Sequence, residues 1–324
     1  MRSVHTAHPI AALLALHVLL AVRPAHAEPS SLPAEVGYNY GQIEDARAAA
    51  FGGELAALGN GLSGVFGNPA AIGASQVYHV GALAAIWPEA ARQTYGAGAV
   101  DSITTRLAAG VGFAWTDQDP SGVKRRSSDL RLVLAYPFSD KISFGVAARY
   151  LKLTQQGLGP LGQSYASGGL AGQPIVNTWT FDAGFSLRPT KNFGLGAYGK
   201  NLSNPGTGFQ PTMVGGGLGL GTQDIAVELN AVADFTTWQR TTARVTGGVE
   251  YLAGDHVPLR VGYRWDQGMD GHALNAGIGY IDPQFSIDLS ARRYVVGPSA
   301  TAVMLTVQYF VESSGITRSP SLEY

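Results

Sequence analysis

From residue 76 to residue 311 one pattern recurs fourteen times: bulky apolar residues alternate with small or polar ones in short runs. Between positions 178 and 187, Trp179, Phe181, Ala183, Phe185 and Leu187 share one face, and Thr178, Thr180, Asp182, Gly184 and Ser186 share the other. A two-residue period of this kind is that of a β-strand lying between two unlike surroundings. The pattern returns as Ile225, Val227, Leu229, Ala231 and Ala233 against Glu228, Asn230 and Asp234, and as Leu259, Val261, Tyr263 and Trp265 against Arg260 and Arg264.

Magnitude decides which face meets which medium. An Arg or Lys held against acyl chains near a bilayer midplane costs about 2 to 4 kcal/mol. Arg131, Arg149, Arg244, Arg260, Arg264 and Arg292 all fall on the small-residue face, together with Asp182, Glu228, Glu250 and Asp288. That face is therefore expected to line a lumen, and the apolar face to meet lipid. The fold expected is all-β: a fourteen-stranded antiparallel transmembrane β-barrel. Its strands are predicted at 76–87, 91–101, 106–117, 128–138, 141–154, 176–188, 192–202, 212–221, 224–236, 242–253, 257–266, 271–281, 285–295 and 300–311.

The chain opens differently. Arg2, an apolar stretch over 10–22 and the small-residue site Ala25-His26-Ala27 read as a cleaved secretory signal peptide over residues 1–27. Export into the cell outer membrane is the expectation. Residues 28–75 follow as an N-terminal segment without strand pattern, 76–311 as the barrel and 312–324 as a polar periplasmic tail. There is no cysteine and no basic run, so neither a disulfide framework nor a nucleic-acid partner is expected.

Connections after even-numbered strands are expected to be short periplasmic turns, and several of the others longer external loops, notably 155–175. Outward aromatics gather into two interfacial belts: Trp115, Trp179, Phe235 and Trp265 on the loop side, and Tyr78, Tyr136, Phe193, Tyr251, Tyr280, Phe285 and Tyr309 on the turn side. Glycine is frequent inside strands, as in Gly215-Gly216-Gly217-Leu218-Gly219. Strand-interior glycine suits close approach by another backbone, which suggests that something lies against these walls.

Within the N-terminal segment, Ala46-Arg47-Ala48 leads to Gly52-Gly53, and Gly67-Asn68-Pro69-Ala70 follows. This resembles the A-R-A…G-G stretch and N-P-A box of the FadL-like long-chain fatty acid transporters and the related PorV-like outer-membrane proteins. Gly199-Lys200-Asn201-Leu202 and Arg260-Val261-Gly262-Tyr263 resemble the K-N-L and R-x-G-Y strands of the same families. The resemblance implies a hatch inside the lumen, with Gly52, Gly53, Asn68, Pro69 and Ala70 as its motif residues. It further implies uptake of hydrophobic molecules past the hatch and release through a gap in the wall. The apolar residues available for capture in the longest loop are Leu158, Leu161, Tyr165 and Leu170.

Other chemistry finds little support. Gly194-Leu195-Gly196-Ala197-Tyr198-Gly199 fits a dinucleotide fingerprint but lies inside a predicted strand. Asp117 and Asp119 start a calcium-like loop whose twelfth position is Ser128, and Asp266 and Asp270 carry the same ambiguity, so no metal or cofactor is expected. Past the signal only His79, His256 and His272 remain, far apart, and no nucleophile elbow is present; no enzyme is expected. The lumenal set Arg149, Asp182, Glu228, Arg244, Arg260, Arg264, Asp288 and Arg292 reads first as a structural charge network, second as the lining of a polar path.

The functional expectation is passive passage of hydrophobic or small molecules across the outer membrane. The alternative is an accessory barrel, PorV-like, that docks a secretion or surface-attachment partner without transport. The partners expected are outer-membrane lipid, a hydrophobic small-molecule ligand, the outer-membrane assembly machinery that reads the final strand, and, on the alternative, a secretion-system partner.

Overall fold

The computed structural model describes residues 42–73, 78–119, 124–155, 174, 176–205, 210–238, 240–297 and 300–312. The signal sequence, the first part of the N-terminal segment, the capture residues of the 155–175 loop and the tail beyond 312 lie outside them.

Fourteen antiparallel strands close into a barrel. They are β1 (Tyr78–Trp87), β2 (Arg92–Asp101), β3 (Ala108–Gln118), β4 (Arg125–Ser139), β5 (Ile142–Gln155), β6 (Val176–Thr190), β7 (Phe193–Lys200), β8 (Met213–Gly221), β9 (Ile225–Asp234), β10 (Thr242–Ala253), β11 (Val257–Asp266), β12 (Gly271–Ile281), β13 (Phe285–Val296) and β14 (Thr301–Glu312). Each pairs with its sequence neighbours, and β14 returns to pair with β1 from His79↔Phe310 to Ile86↔Val303. Closure leaves no strand edge unpaired, as a hydrocarbon environment requires.

Burial alternates along every strand as the charge argument demands. Phe181 is 58% exposed, while its neighbours Thr180 and Asp182 are 0% and 2% exposed. Val261 at 62% sits beside Arg260 at 3%. The bulky residues therefore form an outer belt and the ionised ones face inward, which makes this a transmembrane barrel. Tyr78, Tyr136, Tyr251, Tyr280, Phe285 and Tyr309 are exposed at one end and Trp179 at the other. Tyr95 stacks on Trp115 at 6.2 Å and Tyr150 lies 5.1 Å from Trp179, so the second belt is fuller than the aromatics singled out by pattern alone.

One connection departs from expectation: the β2–β3 turn, 102–107, is longer than several on the opposite side, and Asp101 closes it by accepting from the backbone N–H groups of Ile103 and Thr104. The ladders from β1 to β6 run without interruption apart from a bulge at Pro137/Ser139. The short ladder is β6–β7, which pairs Ala183–Leu187 with Leu195–Gly199 and then only Thr190 with Phe193. Above it, Asn201 takes a left-handed φ of 52° and ends β7, and Leu202 N–H bonds to the Phe181 carbonyl at 2.8 Å to continue the seam.

The β1–β14 seam carries a clamp at its loop end. Glu89, in the 3-10 turn Pro88–Ala90, accepts from Thr301 N–H (2.9 Å), Thr301 Oγ1 (2.7 Å) and Arg293 (2.6 Å). Partial burial pushes this carboxyl up, but the Thr301 and Arg293 hydrogen bonds outweigh it and hold the group below the usual carboxylate range. A carboxylate with a lowered folded-state pKa contributes stability that is fully present above its unfolded pKa, about 4.3, and is lost as pH falls through the folded value. Glu89→Gln is thus expected to lower the unfolding midpoint at neutral pH and to match the parent chain at pH values below the folded pKa; parallel thermal melts across acid pH check it.

Candidate functional site

Residues 42–73 lie inside the barrel, buried almost throughout. They comprise helices α1 (Ala46–Ala50) and α2 (Gly61–Phe66) and a 3-10 turn, Pro69–Gly73. Asp45 caps α1 by accepting from Ala48 N–H at 2.7 Å, and its other oxygen accepts from Ser63, tying the two helices together. Gly52 has φ 99°, and a Cβ there would strike the Tyr263 carbonyl oxygen, so the position admits only glycine. Gly53 has no such constraint: a Cβ would make ordinary contacts with Thr246 (3.4 Å), Arg264 (3.8 Å) and Glu44 (3.9 Å).

The wall is hollowed where this hatch touches it. A Cβ on Gly145 or Gly184 would run into Pro69, Ala70 or Asn68; one on Gly196 into Ala56; one on Gly262 into Ala50 and Phe51. The inward glycines of five or more strands are thus the imprint of the inserted segment.

Asn68 is 0% exposed and works as a latch. Its side-chain amide donates to the Ala56 carbonyl at 2.8 Å and to the Phe185 carbonyl of β6 at 3.1 Å, while its oxygen accepts from Ala70 N–H at 3.1 Å. Pro69 opens the 3-10 turn, and both Pro69 and Ala70 press on β5 and β6 through the two glycines.

The lumenal charges connect to the hatch rather than to open space. Glu44 bridges Arg264 (3.4 Å) and Arg292 (2.8 Å). Arg47 meets Glu250 at 3.2 Å, Glu250 meets Arg260 at 2.6 Å, and Arg260 meets Asp288 at 2.5 Å, an alternating chain from hatch into wall. Lys200 meets Glu54 at 2.6 Å and donates to the Phe66 carbonyl. Arg244 bonds Asp266 at 3.1 Å and Gln42. Glu228 accepts from three consecutive hatch N–H groups, Ala56 (2.6 Å), Ala57 (3.0 Å) and Leu58 (2.7 Å). Arg149 pairs with Asp129 at 2.5 Å and donates to Asn201, whose N–H in turn bonds Asp182.

Pattern reading did not identify the hatch residues Glu44, Arg47 and Glu54 as charge-network members, nor Lys200 as the wall counterpart of Glu54, nor Asp129 as the wall partner of Arg131 and Arg149. Segment 42–73 has no two-residue period to orient its side chains; only the resemblance of Ala46-Arg47-Ala48 and Lys200-Asn201-Leu202 to family motifs pointed there. Asp266, weighed above as a loop ligand, is buried against Arg244 and Arg264. Asp117 lies on β3, 3.6 Å from Arg126. The Gly194–Gly199 fingerprint lies within β7, with no helix after it among the described residues.

The hatch has two unlike sides. Its contacts with β7 to β13 combine the ion pairs above with apolar packing of Ala56 on Tyr198, Met213 and Val232 and of Leu58 on Ala226. Toward β1–β5 it presents Leu62, Val65, Phe66 and Ile72, packed on Leu83, Val100, Val133, Ala135 and Ala147. Gly98 and Gly112 of that wall face Leu62, Val65 and Phe66.

No protein-family profile and no curated protein matches the chain. Solved structures do match. The Ralstonia pickettii toluene transporter TbuX aligns at TM-score 0.60 and 15% identity over 85% of this chain and 100% of its own. The CymD monoaromatic hydrocarbon channel aligns at TM-score 0.63 and 15% identity over 88% and 99%, and a Pseudomonas aeruginosa FadL homologue at 0.57 and 14% over 87% and 99%. At these identities the likeness establishes a shared fold: a FadL-like fourteen-stranded barrel.

Proposed function

We propose that this chain is an outer-membrane channel through which small hydrophobic molecules cross passively, with residues 42–73 as the hatch that governs passage. The observation that carries this reading is the two-sidedness of the hatch. Ion pairs and charge-assisted hydrogen bonds fasten one flank, each individually stronger and more directional than an apolar contact. The other flank is held mainly by dispersion and burial against a wall thinned by glycine, with one buried hydrogen bond, from Arg131 of β4 to the Phe66 carbonyl at 2.7 Å. A hydrocarbon that wedges between α2 and β1–β3 replaces apolar contacts with apolar contacts and leaves the Arg131–Phe66 hydrogen bond in place. A polar solute has no equivalent route, because separating the ionic flank would strand buried charges. The likeness in fold to a toluene transporter and a monoaromatic hydrocarbon channel supports the same class of cargo.

The Asn68 latch tests it. Asn68→Ala removes the partner of two buried carbonyls and one N–H, a loss of about 1 to 3 kcal/mol in hatch docking. Pro69→Gly loosens the adjoining turn. Both variants are expected to change the flux of a small aromatic hydrocarbon into liposomes carrying the protein, with barrel integrity followed by heat-modifiable gel mobility. Flux equal to protein-free liposomes, in parent and variants alike, would remove the transport reading and favour a barrel that docks a partner.

A further inference from the structure

A second site lies at the turn-side mouth, away from the hatch charges. A cavity of about 480 Å³ opens there between the β2–β3 turn, the β4–β5 turn and the inner faces of β5 and β6, with Gly73, the last residue of the 3-10 turn, at its floor. Its lining carries three cations, Arg106, Lys141 and Arg188, against a single carboxylate, Asp140. The nearby Asp101 carboxylate is turned to its own loop, accepting from Ile103 and Thr104 N–H.

We propose that this mouth binds a phosphate group. Arg188 N–H bonds the Lys141 carbonyl at 2.7 Å, which sets the two residues side by side on adjacent elements. Arg106 is fixed at the rim by donating to the Pro137 and Phe138 carbonyls (3.0 and 2.7 Å) above the Tyr136 ring. Arg188 is the decisive group. It lines the cavity and is only 5% exposed, so its charge is held largely out of bulk water. An oxyanion in the cavity offsets the cost of burying that guanidinium. Gly73 and Ser143 complete the floor.

Donors arriving from several elements around one volume suit a tetrahedral oxyanion, with guanidinium forks and an ammonium as its counter-charges. The volume is ample for a phosphate and several waters at about 30 Å³ each. Exposed Ile103, Leu107 and Phe138 stand on or next to the same two turns, so the phosphate could belong to a lipid whose chains lie against them, or be free in the periplasm. The site does not depend on what crosses the lumen.

The test titrates the purified full chain in detergent with inorganic phosphate, with dihexanoylphosphatidylglycerol and with phosphate-free dihexanoylglycerol, read by calorimetry. Binding of either phosphate probe, and none of dihexanoylglycerol, is expected. Lys141→Gln and Arg188→Gln should each weaken it about ten-fold. Preference for the phospholipid assigns a lipid source, and equal affinity assigns free phosphate; both support the site. Lys141 is exposed on a turn, so Lys141→Gln reads the site even if Arg188→Gln fails to fold. Absence of binding by both phosphate probes, or an affinity unchanged in Lys141→Gln, overturns the proposal.

Discussion

Gly196→Val is expected to drive the hatch out of the lumen while leaving the barrel closed. Valine is a better strand residue than glycine, so β7 itself gains from the change. On the lumenal side, however, a Cβ at position 196 overlaps the Ala56 carbonyl, a backbone atom that no rotamer change can clear. Ala56 belongs to the loop whose N–H groups Glu228 holds, so moving it also costs those charge-assisted bonds. Gly262→Val should act likewise through Ala50 and Phe51. An unplugged barrel of this strand number encloses an aqueous bore, and conductance in planar bilayers is expected to rise at least about ten-fold. Proteolysis within residues 42–73 should appear together with it. Unchanged conductance and a protease-resistant hatch in both variants would mean that the segment is not seated where the wall glycines place it.

The second large effect concerns the chain Arg47, Glu250, Arg260, Asp288. Glu250→Ala removes the carboxylate between two buried arginines, and breaking a buried pair from one side costs about 3 to 5 kcal/mol. Arg47→Met should cost much less, because Glu250 keeps Arg260 at 2.6 Å and the thioether side chain fills similar volume. Urea unfolding of the two variants beside the parent chain measures the difference. Equal losses for the two would show that the carboxylate is not shared.

Much of the wall was legible in the sequence because a strand between lipid and lumen obeys one rule at every residue. Leu229 outside and Glu228 inside could be assigned from β9 alone. The errors at strand ends have local causes. β4 begins at Arg125, three residues before the apolar alternation does, because Arg125 turns inward and Arg126 outward to Asp117, and two adjacent arginines look like loop. β9 stops at Asp234 because that side chain caps the following turn, accepting from Thr236 and Thr237 N–H. β6 runs through Pro189 by a register shift that spares a ladder bond.

The hatch was legible in a different currency. Its inside position left a negative image, the inward glycines, and a few motif residues. Asn68, Lys200 and Gly262, quoted for resemblance, touch the hatch or belong to it, and Arg260 is linked to it through Glu250. What sequence could not supply was pairing: nothing along the chain says that Glu44 meets Arg292, 248 positions away. Such contacts exist only once the cylinder has closed around the inserted segment.

The joining of β14 to β1 sets when that closure can happen. Its partners are the most widely separated in the wall, from Tyr78 with Glu312 to Ile86 with Val303, and joining chain ends this remote is entropically the last contact to be gained. Until the final strand arrives, two raw edges persist and the Ala46 N–H of α1 lacks the Thr306 hydroxyl that accepts from it. The strand that shuts the cylinder is therefore also the one that completes the seating of α1.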